Sequence, residues 1–192
     1  RSTLFPYTTL FRSRSIGAYA FSGCSSLASL TNTSNVTTIG SGAFFYGCGG
    51  VLNFPSLTSI AASAFYGSSI TRIDSLGEFT TIPGNNVTDS DYQGGCFRGC
   101  TQLTAVTLPT TLTEIQQYAF YGCSALTTAA PMTNVTTIGG AAFYGTALSG
   151  ELNIPNLTGT IGRGTFYSTN ITKIKSLGTI TSINGANATN SN

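Results

Sequence analysis

Five cysteines and six acidic residues are the side chains of this sequence with the widest chemical reach, and what surrounds them limits what they can do. The chain contains no histidine, so neither a Ser-His-Asp nor a Cys-His couple can be assembled from it. Cys96 and Cys100 form one pair of thiols without a second, and a structural zinc site needs four ligands. Asp89 and Asp91 stand two residues apart in a loop-like stretch, 83–95. A calcium cage requires more oxygen ligands than two acids supply, so solvated loop acids are the default. Gly49-Gly50 and Gly139-Gly140 do not open a helix in the manner of a phosphate loop. The expectation is a non-enzyme with no catalytic residues, no cofactor and no metal site.

The elements that hold these residues come from repetition. Tyr19-Ala20-Phe21-Ser22-Gly23-Cys24 returns as Ala43-Phe44-Phe45-Tyr46-Gly47-Cys48, Ala64-Phe65-Tyr66-Gly67 and Cys96-Phe97-Arg98-Gly99-Cys100. It returns again as Ala119-Phe120-Tyr121-Gly122-Cys123, Ala142-Phe143-Tyr144-Gly145 and Thr165-Phe166-Tyr167. An isoleucine marks the start of each unit, at Ile16, Ile39, Ile60, Ile82, Ile115, Ile138, Ile161 and Ile183. Six of the seven steps are 21–23 residues, and the step after Ile82 is 33 because 83–95 is an insertion. A longer period lies above the short one: Asn35-Val36-Thr37-Thr38-Ile39-Gly40 recurs 99 residues later as Asn134-Val135-Thr136-Thr137-Ile138-Gly139. The duplicated block was therefore four units. Residues 183–192 echo the stretch from Ile82, so the chain is read as stopping inside a further repeat.

One such unit cannot bury its own apolar face, whereas stacked units share a continuous core. Short apolar spacings predict a strand in each unit: Leu27 to Leu30, Leu52 to Phe54, Ile70 to Ile73, Leu103 to Leu108, Leu152 to Ile154 and Ile171 to Ile174. The Phe-x-Gly motif reads as a tight turn or a single helical turn. Phe21, Phe45, Phe65, Phe97, Phe120, Phe143 and Phe166 are expected to line up as an internal spine. Four of the cysteines fall three residues after a motif phenylalanine, counting from Phe45 in the second copy. Ser68, Thr146 and Thr169 take that place elsewhere, which favours buried free thiols over a disulfide between neighbouring coils.

The composition agrees with a packed but weakly charged molecule. Hydrophobic residues make up 41%, enough for a core, while charged residues are 7% against roughly 25% in ordinary domains. Residues 1–13 share nothing with the repeats and look like the translation of a sequencing adapter. They are set aside from fold reasoning, leaving 14–192 as the repeat region. That segment carries Arg1 and Arg12, two of the eight basic residues, so the remainder is neutral against six acids. A basic surface for nucleic acid or anionic lipid is not supported, and no apolar run reaches the ~18 residues of a membrane span.

The pattern Ile-x-x-x-Ala-Phe-x-Gly-Cys-x-x-Leu, seen from Ile115 and from Ile16, resembles the BspA-type leucine-rich repeat over residues 16–183. The resemblance implies a mainly β, right-handed leucine-rich-repeat solenoid of about seven coils, with short strands and tight or single-helical turns. It also implies an extracellular or cell-surface location and a macromolecular partner: a host protein, a glycan or another cell surface. The chain departs from the commoner leucine-rich pattern in lacking a regular asparagine after the strand, and the resemblance transfers no ligand-diagnostic residues.

On the predicted strands, the positions between core residues face outward. Thr71, Arg72, Asp74, Thr104, Thr107, Thr172, Lys173 and Lys175 make up the candidate binding surface. A repeat sheet is a natural recognition face, and threonine also simply suits exposed strands. Seven Asn-x-Ser/Thr sequons begin at Asn32, Asn35, Asn86, Asn134, Asn156, Asn170 and Asn187, matches that an Asn- and Thr-rich repeat produces by composition. The leading expectation is a non-catalytic binding or adhesion module acting through the sheet face or the insertion loop. The alternative is a structural stalk carrying a functional domain that lies elsewhere.

Overall fold

The computed structural model describes residues 13–84 and 94–184. Residues 1–12, most of the insertion including Asp89 and Asp91, and the sequons at Asn86 and Asn187 lie outside the described residues. The rest forms a β-solenoid of about seven coils whose strands pair in parallel and fall into two columns. One column is built from the isoleucine markers: β1 (Ser15–Ile16), β2 (Thr38–Ile39), β4 (Ser59–Ile60), β6 (Thr81–Ile82), β8 (Glu114–Ile115), β10 (Thr137–Ile138), β12 (Thr158–Ile161) and β14 (Thr179–Ile183). The other holds β3 (Gly49–Asn53), β5 (Ser69–Ser75), β7 (Ala105–Thr107), β9 (Thr128–Ala130), β11 (Ser149–Asn153) and β13 (Asn170–Ser176). The stretch Leu27 to Leu30 is not a strand. Gly49 N–H donates to Leu27 O, and no longer ladder forms there.

Pairing places like residues side by side. Ile16, Ile39 and Ile60 are partners in one column, as are Ile82, Ile115 and Ile138, and then Ile161 and Ile183. In the second column Leu52 pairs with Ile73, Ile73 with Val106, Val106 with Ala129, and Leu152 with Ile174. Each isolated strand is only a few residues long and would not persist alone. Stacking is what buries its apolar face.

Between the columns runs the phenylalanine spine, with one correction to the expected membership. Phe21, Phe44, Phe65, Phe97, Phe120, Phe143 and Phe166 stack ring on ring at centroid distances of 5.0–5.7 Å and within 9° of parallel. Phe44, not Phe45, holds the second place: Phe44 is fully buried, whereas Phe45 is half-buried outside it. The reason lies in the turn. The residue two after each spine phenylalanine is left-handed in every coil, and it is glycine in five of them. In the second coil it is Tyr46, at φ 47°, and Gly47 follows. Gly47 packs so closely on the preceding coil that a Cβ there would lie 2.4 Å from Phe21 O. Close backbone approach, not chain reversal, requires that glycine.

The same shift removes Cys48 from the cysteine column. The column residue, three after the spine phenylalanine, is Cys24, Gly47, Ser68, Cys100, Cys123, Thr146 and Thr169. In four of these coils its side chain acts as a hydrogen-bond donor as well as a small filler. Cys100 Sγ donates to Phe65 O and Cys123 Sγ to Phe97 O, both at 2.9 Å. Thr146 and Thr169 donate to the spine carbonyls of their own coils at 3.0 and 2.9 Å. A thiol and a hydroxyl are interchangeable here because the buried site asks for a short donor. All five cysteines are free. Cys24, in the first described coil, is exposed instead of buried.

Candidate functional site

Threonine dominates the exposed edges of both columns, and the structure gives it a specific task. Thr104 Oγ1 donates to Thr71 O at 2.9 Å, Thr127 to Thr104 O at 3.1 Å, and Thr172 to Gly150 O at 3.2 Å. A second line passes through Thr58 to Thr37 O, Thr113 to Thr80 O, Thr136 to Thr113 O and Thr158 to Thr136 O, at 3.0–3.3 Å. Each hydroxyl clips one coil to the main chain of the coil before it. Thr104 and Thr172 therefore serve stacking first, with Thr71 taking part through its carbonyl, and composition alone hid this. Two sequon asparagines are committed in the same way: Asn134 Nδ2 donates to Thr110 O and Asn156 Nδ2 to Thr133 O, both at 2.7 Å.

The charged members of the expected surface are exposed and locally paired. On β5, Arg72 grips Asp74 with two hydrogen bonds, Nε to Oδ1 at 2.6 Å and Nη2 to Oδ2 at 3.2 Å. On β13, Lys173 and Lys175 straddle Glu151 of β11 at 3.1 and 3.6 Å. Glu151 was not singled out from the sequence, because the pairing that brings it beside β13 is non-local. Thr107 lies exposed on β7. The eight residues thus form two groups, one on β5, β7 and the residue just before β7, and one on β13, with β9 and β11 between them.

The sheet is interrupted there. β3, β5, β7 and β9 form one ladder and β11 with β13 another. The inward row is Leu52, Ile73, Val106, Ala129, Leu152 and Ile174, and Ala129 is its smallest member. A cleft of about 300 Å³ opens beside it, lined by Ala129, Met132, Leu148, Leu152 and Ile171.

A second exposed feature lies on the turn side, one residue after the spine. Phe45 stacks on Tyr66 at 4.9 Å, Tyr121 on Tyr144 at 4.8 Å, and Tyr144 on Tyr167 at 4.8 Å. Arg98 occupies this row in its own coil, with Cζ 4.7 Å from the Tyr121 ring and 5.4 Å from Tyr118. The Phe-Tyr dipeptide signals the row in four motif copies, but the tyrosines were read as part of the turn.

The buried thiols are inert. Burial pushes the Cys48 thiol up to about 12, with a contribution from nearby Cys100. Burial also holds Cys96 and Cys123 well above the ordinary thiol range. Such groups stay protonated and are poor nucleophiles. Among the described residues, no group of three or more His, Cys, Asp or Glu is placed to hold a metal ion. No described helix is long and apolar enough to cross a membrane.

Comparison with known proteins agrees with this architecture. The profile of the BspA type leucine rich repeat region matches in 6 copies, over residues 14–92 and 85–192. A crystal structure of a leucine-rich repeat protein from Bacteroides ovatus ATCC 8483 superposes with a TM-score of 0.69 at 24% identity. The match covers 88% of this chain and 43% of that one, so the chain spans less than half the length of the protein it resembles. No curated protein matches the sequence.

Proposed function

The chain belongs to the BspA-type leucine-rich repeat family, and from that premise we propose that it is a non-catalytic, extracellular recognition module. Repeats of this family are generally protein-binding and typically surface-associated in bacteria, and the fold is typically non-catalytic. The ligand in this reading is a host protein or glycan held on the sheet face. The observation that carries it is the pair of exposed charged groups on that face, Arg72 with Asp74 and Lys173 with Lys175 around Glu151. Exposed ion pairs contribute little to stability. Rim charges of this kind steer and select a partner. The insertion, 83–95, is a second contact element in the same reading.

The test is an array of host surface proteins and glycans probed with the chain, followed by kinetic measurement on each hit. Lys173→Ala with Lys175→Ala, and Arg72→Ala with Asp74→Ala, are expected to slow association with the bound partner. Binding indifferent to both pairs would overturn the sheet face as the site.

A stalk is the second reading, and the threonine clips favour it. Thr104 and Thr172 direct their hydroxyls along the solenoid axis into the neighbouring coil, which makes a rod and leaves fewer groups for a ligand. An array with no hit for this chain, and hits mapping to other parts of the same protein, would select the stalk.

A further inference from the structure

The four-coil block occurs twice in this chain, and the two copies differ at one junction. In the first block that junction lies between the first coil and β3. Gly49 N–H donates to Leu27 O at 2.7 Å, and a Cβ on Gly50 would lie 2.4 Å from Ala28 O. Thr33 Oγ1 donates to Asn53 O and clips the same junction a second time. The second block has Leu126, Ala129 and Met132 where the first has Leu27, Leu30 and Thr33, and β11 where the first has β3. Met132 has no donor to offer Asn153. Among the described residues no hydrogen bond joins Ser149 to Leu126, and a Cβ on Gly150 would meet nothing within 4 Å. One junction is shut and its duplicate is open.

The opening separates β9 from β11. Paired strands lie roughly 4.8 Å apart, whereas nearly all Cα pairs between β9 and β11 are more than 8 Å apart. An added strand needs two such spacings, about 9.6 Å, and the gap approaches that width. Each of the two strands is laddered on one side only, β9 to β7 and β11 to β13. The edges facing the gap therefore present main-chain donors and acceptors to it. The cleft of about 300 Å³ lies here, and Ala129, Met132, Leu148, Leu152 and Ile171 give it an apolar inner wall. At its mouth Glu151 holds two ammonium groups, Lys173 at 3.1 Å and Lys175 at 3.6 Å, which leaves one positive charge in surplus.

We propose that an extended segment of a partner protein inserts between β9 and β11 as an added strand, with an aliphatic side chain in the cleft and a neighbouring carboxylate toward Lys173 and Lys175. Main-chain hydrogen bonds supply the affinity of such a complex, and the side-chain pocket sets its register. Successive residues of a strand point to opposite faces, so an inward aliphatic residue and an outward acid are adjacent in the segment. A neutral glycan leaves the apolar wall unmatched, and a fatty chain leaves the strand edges unpaired. The proposal rests on the sheet face being a protein-binding surface, and it narrows that face to one junction and one class of partner.

The test starts by panning a library of random linear heptapeptides on the whole chain. The expected consensus is Leu, Ile or Val next to Asp or Glu. The recovered peptide is then titrated by calorimetry, with n-octanoate and cellohexaose as the alternative occupants. Ala129→Leu and Met132→Thr each install the residue found at the shut junction, Leu30 or Thr33, so both are compatible with the fold. Each is expected to weaken peptide binding by about tenfold or more, as is N-methylation of alternate peptide amides. Lys173→Ala with Lys175→Ala is expected to weaken it by about threefold or more, and Arg72→Ala with Asp74→Ala to leave it within about twofold. The proposal is overturned if the library yields no binder, if the consensus lacks the aliphatic–acid pair, or if N-methylation changes nothing. It is also overturned if octanoate or cellohexaose binds more tightly than the peptide. An array partner whose binding follows the lysine pair but ignores both Ala129→Leu and Met132→Thr keeps the sheet face and removes the gap. An array without hits removes the sheet face, and the proposal with it.

Discussion

Two aromatic rows run side by side through this molecule, one residue apart in sequence. The inner row, Phe21 to Phe166, stacks at 5.0–5.7 Å and is buried wherever a coil lies on both sides. The outer row, with Phe45, Tyr66, Tyr121, Tyr144 and Tyr167, stacks at 4.8–4.9 Å and stays partly in solvent. Both inherit their spacing from the parallel ladder, whose strands repeat at roughly 4.8 Å. The ring geometry is therefore nearly the same, and burial alone separates a row that stabilises from a row that presents. Stacking in a solenoid is a by-product of the coil repeat.

Substitutions along the rows test that separation. Phe120→Ala removes a fully buried ring with a stacked neighbour on each side, and chemical denaturation should show a loss of about 3–5 kcal/mol. A loss near that of an exposed residue would remove the spine as the organising feature. Phe44→Ala should cost nearly as much, while Phe45→Ala should cost about 1 kcal/mol. The reverse order would return the second coil to the assignment suggested by its Gly-Cys pair. Tyr144→Ala, in the outer row, is expected to cost about 1–2 kcal/mol. Thr136→Val deletes one clip and should cost about 1 kcal/mol or less.

The thiols extend the contrast to pH. Cys48 titrates near 12 in the folded chain against 9.0 for the unperturbed group, and Cys96 and Cys123 move in the same direction. A thiol raised on folding stabilises the fold fully below about pH 9, and that contribution is lost as pH climbs toward 12. Alkaline unfolding should therefore begin above pH 9, with the free thiols appearing together. At pH 8, iodoacetamide should modify exposed Cys24 quickly and the buried thiols only after denaturant is added. Mass spectrometry of the alkylated chain reads this directly.

Much of the fold was legible because the repeat multiplies every signal. Isoleucine and phenylalanine recur at the same offsets in coil after coil, so a local ambiguity in one copy is outvoted by the others. The second coil escaped that logic. Glycine usually marks the left-handed corner, and Gly47 pointed to Phe45 as the spine residue. The chain instead puts Tyr46 in the left-handed corner and spends Gly47 on a close approach to Phe21 O. The expected surface was legible as exposure but not as partnership. Glu151 meets Lys173 and Lys175 only through β11–β13 pairing, and the threonine clips depend on main-chain atoms one coil away.

The terminal described coil leaves Ile174 and Ile183 more than half exposed, at 57% and 64%, beside a cavity of about 290 Å³ with Phe166 and Leu177 in its wall. In a one-dimensional stack this rim is a boundary cost: it arises at an end and does not grow with the number of coils. Each added coil covers the rim beneath it and recreates the same rim above, gaining one full interface. Length itself thus acts as a stabiliser. A stack twice as long carries the same two ends spread over twice as many interfaces, so stability per coil rises toward a plateau as the array grows.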